Sequence, residues 1–386
     1  MYTFSMKIVV THNSPDWDAI TSVWLLKRFL PGWEDAITQF VPAGERFKNE
    51  QVAHENFAGS LLQLSKAVEE IGNDEVIHVD TGLGVLDHHQ TDDKSISAAG
   101  LTWEYVKEQR SKSKDQKQVE LGQKSDRTGD RIKAIGRLVK VVVDIDHFKE
   151  VFWIDAAADY HEFSLLGVLE GLKVQKPDQD KYYVDFGMQM LDAVLHAFEN
   201  KIWAEREIAQ NGHIFDTKWG KGIGIETIND SVLHLAQKMG YVVVIRKDPR
   251  KNYVRIKARP SAEVAHENNA RGPAPTSSTP VKQANSSFRL RSMSARSSLA
   301  LEASNELRAH GSPSRVTSRK SNLVSSPRLR EVDLTPAYEE LKKMDPDATW
   351  FLHVSKKMLL NGTVKNPKMK PTSLTLSQII SILKTI

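Results

Sequence analysis

The chain has 386 residues, 40 % of them hydrophobic, enough for two compact domains with real cores and too many for one small domain. It contains no cysteine, which excludes disulfides, zinc–thiolate sites, iron–sulfur clusters and thiol nucleophiles and leaves His and carboxylates as the metal ligands. Its formal charge of +4 is unevenly placed: residues 261–330 hold 11 Lys and Arg against 4 Asp and Glu, leaving 42 against 45 elsewhere, so the near-neutral remainder gives no electrostatic reason for tight duplex binding.

In chain order, the β-branched run at residues 6–11 predicts a buried first strand. A helix follows, with Pro15, Asp16 and Asp18 at its N-terminus, Ile20, Val23, Trp24, Leu26 and Phe29 at helical spacing, and Pro31-Gly32 as its stop. Residues 39–41 predict a second strand, 59–70 a helix, and 76–79 a third strand ending at Asp80. A turn at 81–84 leads into Val85-Leu86-Asp87-His88-His89-Gln90, where three polar groups behind an apolar run suit a metal site, a general base or plain structure. Residues 101–106 predict a helix and 108–137 a solvated polar insertion. The apolar run at 138–145 fits strand or helix, and a second run from Val151 ends among Asp155 and Asp159, with His161 and Glu162 read as structural.

Residues 181–210 predict a long amphipathic connecting helix. Strand signals around 212–215, 222–226, 241–246 and 253–259 then surround a helix at 232–239, outlining a smaller α+β domain. Residues 261–330, rich in Pro, Ser, Asn and Arg, predict a disordered basic insertion. The pattern resumes at Leu334 with a helix to about 343, a strand at 349–354 and a helix at 375–384, completing the second domain across the insertion. The expected architecture is α/β: a mostly parallel sheet in an N-terminal domain of residues 1–180, then an α+β domain of 211–260 plus 331–386. No run of about 18 apolar residues and no signal layout is seen, so the expected protein is cytoplasmic, without a membrane partner.

His12, Asp16, Asp18, Asp80, Asp87, His88, His89 and Asp155 or Asp159 all follow strand-like runs. In a parallel sheet the carboxyl ends lie along one edge, so these residues are candidates for a shared crevice. Asp16 and Asp18 also fit the simpler role of helix N-terminal acids. Carboxylate oxygen with imidazole suits a pair of divalent ions, Mn²⁺ first with Mg²⁺ also compatible.

His12-Asn-Ser-Pro-Asp16-Trp-Asp18-Ala resembles the first motif of the DHH phosphoesterase superfamily, Asp80 its second, Asp87-His88-His89 its third and Asp159, or else Asp155, its fourth; Gln90 extends the third motif to the DHHQ form of an exonuclease-like branch. The resemblance spans residues 6–165. It implies His12, Asp16 and Asp80 on one metal; Asp18, Asp80, His88 and Asp159 on the other, with Asp80 as bridge; Asp87 orienting His88; and His89 on the scissile phosphate, with a metal-bridging water as nucleophile. It also implies phosphate contacts from the second domain, for which Arg255, His353, Ser355 and Lys356 are the candidates, although the family's Gly-Gly-His signature has only residues 353–362 as a counterpart. The implied activity is two-metal hydrolysis of phosphodiester bonds in nucleotides or short single-stranded oligonucleotides, with a homodimer as a possible assembly. A non-catalytic nucleotide-binding module and a small-molecule phosphatase or pyrophosphatase remain the alternatives.

Overall fold

The structure, a computed structural model, describes residues 5–49, 67–112, 125–260, 331–363 and 366–386. The proposed basic insertion at 261–330 lies outside the described residues, as does most of the helix expected at 59–70.

The first sheet has the order β2-β1-β4-β3, from β1 (Lys7–His12), β2 (Ile37–Val41), β3 (Glu69–Ile71) and β4 (Asp74–His78). β1 is central and pairs in parallel with both β2 and β4, while β3 is an antiparallel edge. Residues 69 and 70, assigned from sequence to the end of a helix, are therefore strand: Glu69 and Glu70 line up against Val76 and Glu75. α1 (Trp17–Phe29) is buried on nearly every side, because it packs against β1 and also against α2 (Ala98–Lys112), α3 (Ser125–Asp146) and α5 (Asp180–Asn211). A helix apolar on all sides requires that environment.

α3 corrects the insertion expected at 108–137. Residues 108–112 complete α2, and 125–137 belong to a helix continuous with the apolar run at 138–145. Ala134, Ile135, Leu138, Val139, Val142 and Val143 recur at helical spacing and enter the core with Trp24, Leu25, Trp103 and Leu191. The polar composition of 125–137 is that of the opposite, solvated face.

Past α3 the chain runs through short 3₁₀ turns at Lys149–Phe152 and Asp159–His161 rather than another strand, then α4 (Leu165–Gln175). α5 carries the chain onward: Tyr183, Leu191 and Leu195 lie in the first core, while Ala204 and Ile208 join a cluster under the second sheet. That sheet has six strands in the order β5-β6-β7-β8-β10-β9, from β5 (His213–Thr217), β6 (Gly220–Glu226), β7 (Val243–Lys247), β8 (Val254–Ala258), β9 (Trp350–Leu352) and β10 (Met358–Asn361). Only β6 and β7 pair in parallel. Val232, Leu233 and Ala236 of α6 (Ser231–Lys238) pack with Ile223, Ile225 and Val244. A separate core joins Val243, Ile245 and Ile256 to Leu341 of α7 (Thr335–Met344) and Ile379 and Leu383 of α8 (Leu376–Thr385). β10 lies between β8 and β9, so residues 331–386 finish the sheet begun before residue 260. The result is a mixed α/β fold with two sheets, and no described helix is long and apolar enough to cross a membrane.

Ile135 is 2 % exposed and tests the reassignment of residues 125–137 to α3. Ile135→Ala should cost about 2–5 kcal/mol as a buried large-to-small change, read as a lower urea midpoint. An unchanged midpoint would return the segment to the solvated-loop reading.

Candidate metal centre

β1 and β4 pair in parallel with Val10 opposite His78, and Val79 N–H donates to the Val10 carbonyl at 2.9 Å. His12 and Asp80 therefore stand side by side at the carboxyl ends of adjacent strands. Asp80 is buried at 3 % exposure in a left-handed conformation, φ 55°, which Asp tolerates better than most residues and which turns the chain into residues 81–84. Arg46 donates to the Gly82 carbonyl at 2.7 Å, and a Cβ at Gly82 would come within 2.9 Å of the Arg46 side chain, so glycine and arginine fix this turn together.

His12 Nδ1 lies 2.8 Å from the Asn13 carbonyl, which requires an N–H there and leaves Nε2 facing Asp80 Oδ2 at 3.2 Å. Burial pushes the His12 pKa down, but the hydrogen bonds to Asp80 and the Asn13 carbonyl and the charges of Asp80 and Asp16 outweigh it and hold the ring at about 9. Asp80 is pushed up to about 6, first by burial and against the pull of His12. Asp16 Oδ1 caps α1, accepting from Asp18 N–H at 2.8 Å and Ala19 N–H at 3.0 Å. His12, Asp16 and Asp80 each bring one ligand atom within 4.8 Å of the other two.

Asp80, His88 and His89 converge in the same way, and so do His88, Asp146 and His147. His88 stands between two carboxylates, its Nε2 3.6 Å from Asp80 Oδ1 and its Nδ1 3.4 Å from Asp146 Oδ2. The Ile96 carbonyl receives His88 Nδ1 at 3.2 Å and His147 Nε2 at 2.8 Å. Asp87 does not orient His88, as expected from the resemblance. Its Oδ1 accepts from the Nδ1 of His89 at 2.7 Å and from His89 N–H at 3.1 Å, while Oδ2 accepts from Leu83 N–H at 2.8 Å. Burial opposes ionisation of Asp87, yet these bonds hold its pKa below the ordinary value. The Asp87 bond also raises His89, whose side chain is 59 % exposed, to about 9.

Asp18 is buried but committed elsewhere. Its Oδ1 accepts from the Ser97 hydroxyl at 2.7 Å and Ala99 N–H at 2.9 Å, and Oδ2 from Ala98 N–H at 2.7 Å, so it binds the N-terminus of α2. Burial and the charges of Asp80 and Asp146 raise its pKa well above the usual carboxylate range. Asp80 Oδ1 and Asp146 Oδ2 are different: both are buried and accept no hydrogen bond. Such atoms cost stability unless something positive meets them.

Asp159 is exposed at the start of a 3₁₀ turn and Asp155 is exposed with φ 52°; neither converges with the cluster. The acid brought into place is Asp146, at the end of α3. Its sequence signal, an apolar run closing on Asp146-His147, was the same one that marked Asp80. That signal is ambiguous in sequence, because residues 138–145 fit strand or helix equally. Of the second-domain candidates, Arg255 pairs with Asp230 at 2.6 Å, Lys356 with Asp333 at 3.2 Å, and His353 with the Ser355 hydroxyl at 2.9 Å. None of the four lines the cavity of about 680 Å³ that opens beside Asp16, His88, His89 and Asp146. Compared with protein-family models and with curated protein sequences, the chain has no match.

A carboxyl whose pKa is higher folded than unfolded binds its proton more tightly in the fold. Asp80 therefore costs the metal-free protein stability increasingly as pH rises from 3.8 to about 6, and the whole cost is present at pH 7. Asp80→Asn relieves that cost but also removes the partner that favours the charged His12 ring, so the metal-free Tm at pH 7 should change little, while the Tm rise on adding Mn²⁺ should be lost; a Mn²⁺ response equal to that of the original chain would remove Asp80 from the site. In calorimetric titration with Mn²⁺, Asp146→Ala should weaken binding at least tenfold and Asp159→Ala should leave it unchanged. The reverse ranking would restore Asp159.

Proposed function

We propose that the chain is a two-metal phosphoesterase that hydrolyses phosphodiester bonds of nucleotides or short oligonucleotides. The observation that carries this reading is the overlap of the ligand groups: Asp80 belongs both to the group with His12 and Asp16 and to the group with His88 and His89, and the latter adjoins Asp146 through His88. The residues fit a pair of hard divalent ions, because the donors are carboxylate oxygen and imidazole and two buried carboxylate oxygens, each facing a histidine ring, accept no hydrogen bond. Mn²⁺ is the preferred identity, with Mg²⁺ second.

His12, Asp16 and Asp80 would hold one ion, and Asp80 with His88 the other, with Asp146 on the far side of the His88 ring. When bound, such a pair polarises a phosphoryl oxygen and makes a water acidic enough to attack phosphorus. The protein's own groups do the rest. Asp87 fixes His89 through Nδ1, so the remaining ring nitrogen, Nε2, is presented for proton transfer. The Asp87 bond favours the protonated ring in the metal-free protein, and a ring so held would give its proton to the leaving oxygen as the P–O bond breaks. The carbonyl of Ile96 holds His88 in place, and Asp18 fixes α2 against α1 behind the site. A cavity of about 680 Å³ is within the usual range for an organic ligand and exceeds what pyrophosphate alone would fill, which favours a nucleotide over the inorganic alternative.

Purified protein with Mn²⁺ should hydrolyse at least one of short RNA, short DNA and cyclic dinucleotides, faster than pyrophosphate. Asp80→Ala should abolish turnover, whereas His89→Ala should lower kcat roughly 10²–10⁴-fold with Mn²⁺ still bound. Absence of metal-dependent hydrolysis across the panel would sink the enzymatic reading, and full activity in Asp80→Ala would sink the assigned site.

A further inference from the structure

The cavity beside the cluster is also lined by Trp153, His161, Phe148 and Glu150, none of which belongs to a ligand group. Trp153 and His161 lie 5.6 Å apart between ring centroids at 36°, and Tyr160 adjoins His161 at 4.3 Å. The Ile154 carbonyl accepts from the Tyr160 hydroxyl at 2.9 Å and lies 3.2 Å from His161 Nε2, so one backbone oxygen braces two of the rings. Gly167 in the first turn of α4 permits the loop to lie this close: a Cβ there would come within 2.4 Å of the Glu162 carbonyl. Trp153 remains 38 % exposed, which leaves ring surface free. Glu150 Oε2 is buried without a hydrogen-bond partner.

We propose that this part of the cavity is a nucleobase subsite, with Trp153 and His161 as the stacking surface and Glu150 as the group that reads an amino-bearing base. The proposal rests on the phosphodiesterase reading for the placement of phosphate at the Asp/His cluster. Every base has a π-face that stacks on such rings. Glu162 and Glu170 also line this region and repel phosphate, so a nucleotide enters with its base here and its phosphate at the cluster. An ionised carboxylate only accepts hydrogen bonds, so Oε2 needs an N–H. Guanine offers N1–H and an amino group side by side, and adenine and cytosine offer an amino group. The N3–H of uracil lies between two carbonyl oxygens that a carboxylate repels. The subsite therefore favours guanine most and uracil least.

Binding of GMP, UMP and ribose 5-phosphate in the presence of Mn²⁺, followed by calorimetry, separates base from phosphate because none of the three has a diester to cleave. GMP should bind at least tenfold more tightly than ribose 5-phosphate. Trp153→Ala should remove most of that advantage and Trp153→Phe should keep most of it, while Glu150→Gln should narrow the gap between GMP and UMP. Equal affinity for GMP and ribose 5-phosphate, or an equal loss of both in Trp153→Ala, overturns the subsite. Hydrolysis of diesters without base discrimination defeats this proposal alone; base-dependent binding without hydrolysis defeats the enzymatic reading and leaves the subsite standing.

Discussion

The crowding of carboxylates at the carboxyl ends of two parallel strands is the constraint on which the rest of the structure turns. Asp18, Asp80 and Asp146 are each driven upward in pKa first by burial, and for Asp18 by the charges of Asp80 and Asp146. A fold maximising its own stability would not gather them. Parallel pairing of β1 with β4 fixes His12 beside Asp80, and α3 delivers Asp146 to the same place, so the cost is built into the topology. It is repaid only when positive charge arrives.

The carboxylates divide by what their oxygens already hold. Asp18 accepts three hydrogen bonds from Ser97, Ala98 and Ala99, and Asp87 three from Leu83 and His89, so both act as scaffold. Asp16 spends Oδ1 on the first turn of α1. Asp80 and Asp146 each keep a buried oxygen with no donor. Counting acids near a site would treat all five alike; tracing each oxygen separates those that position helices and rings from those left for a cation.

Much of this was legible in the sequence because the parallel sheet converts a local pattern into a shared edge. An apolar run closing on His12, another closing on Asp80 and the following Asp-His-His are short-range signals, and the β1–β4 pairing is the short step that unites them. α3 was less legible because residues 125–137 carry their apolar side chains sparsely, at Ile132, which stays exposed, Ala134 and Ile135, and the helical period becomes plain only when joined to Leu138, Val139, Val142 and Val143. The role of Asp87 was hidden for a different reason. Spacing puts it next to His88 and two residues from His89, yet the folded turn, stabilised by Gly82 and Arg46, directs its carboxylate to the latter.

The replacement of Asp159 by Asp146 follows from the same logic. A run such as Val151-Phe152-Trp153-Ile154 looks like a strand by composition, but it joins neither sheet. It lies instead in and just past a 3₁₀ turn, and Phe152 and Ile154 stay exposed. Its Trp153 then lines the cavity that the cluster opens into, beside Phe148 and His161. The segment that supplies no ligand to the cluster thus supplies rings to the cavity wall, and under the function proposed above it would meet whatever is attached to the phosphate without any residue of the second domain.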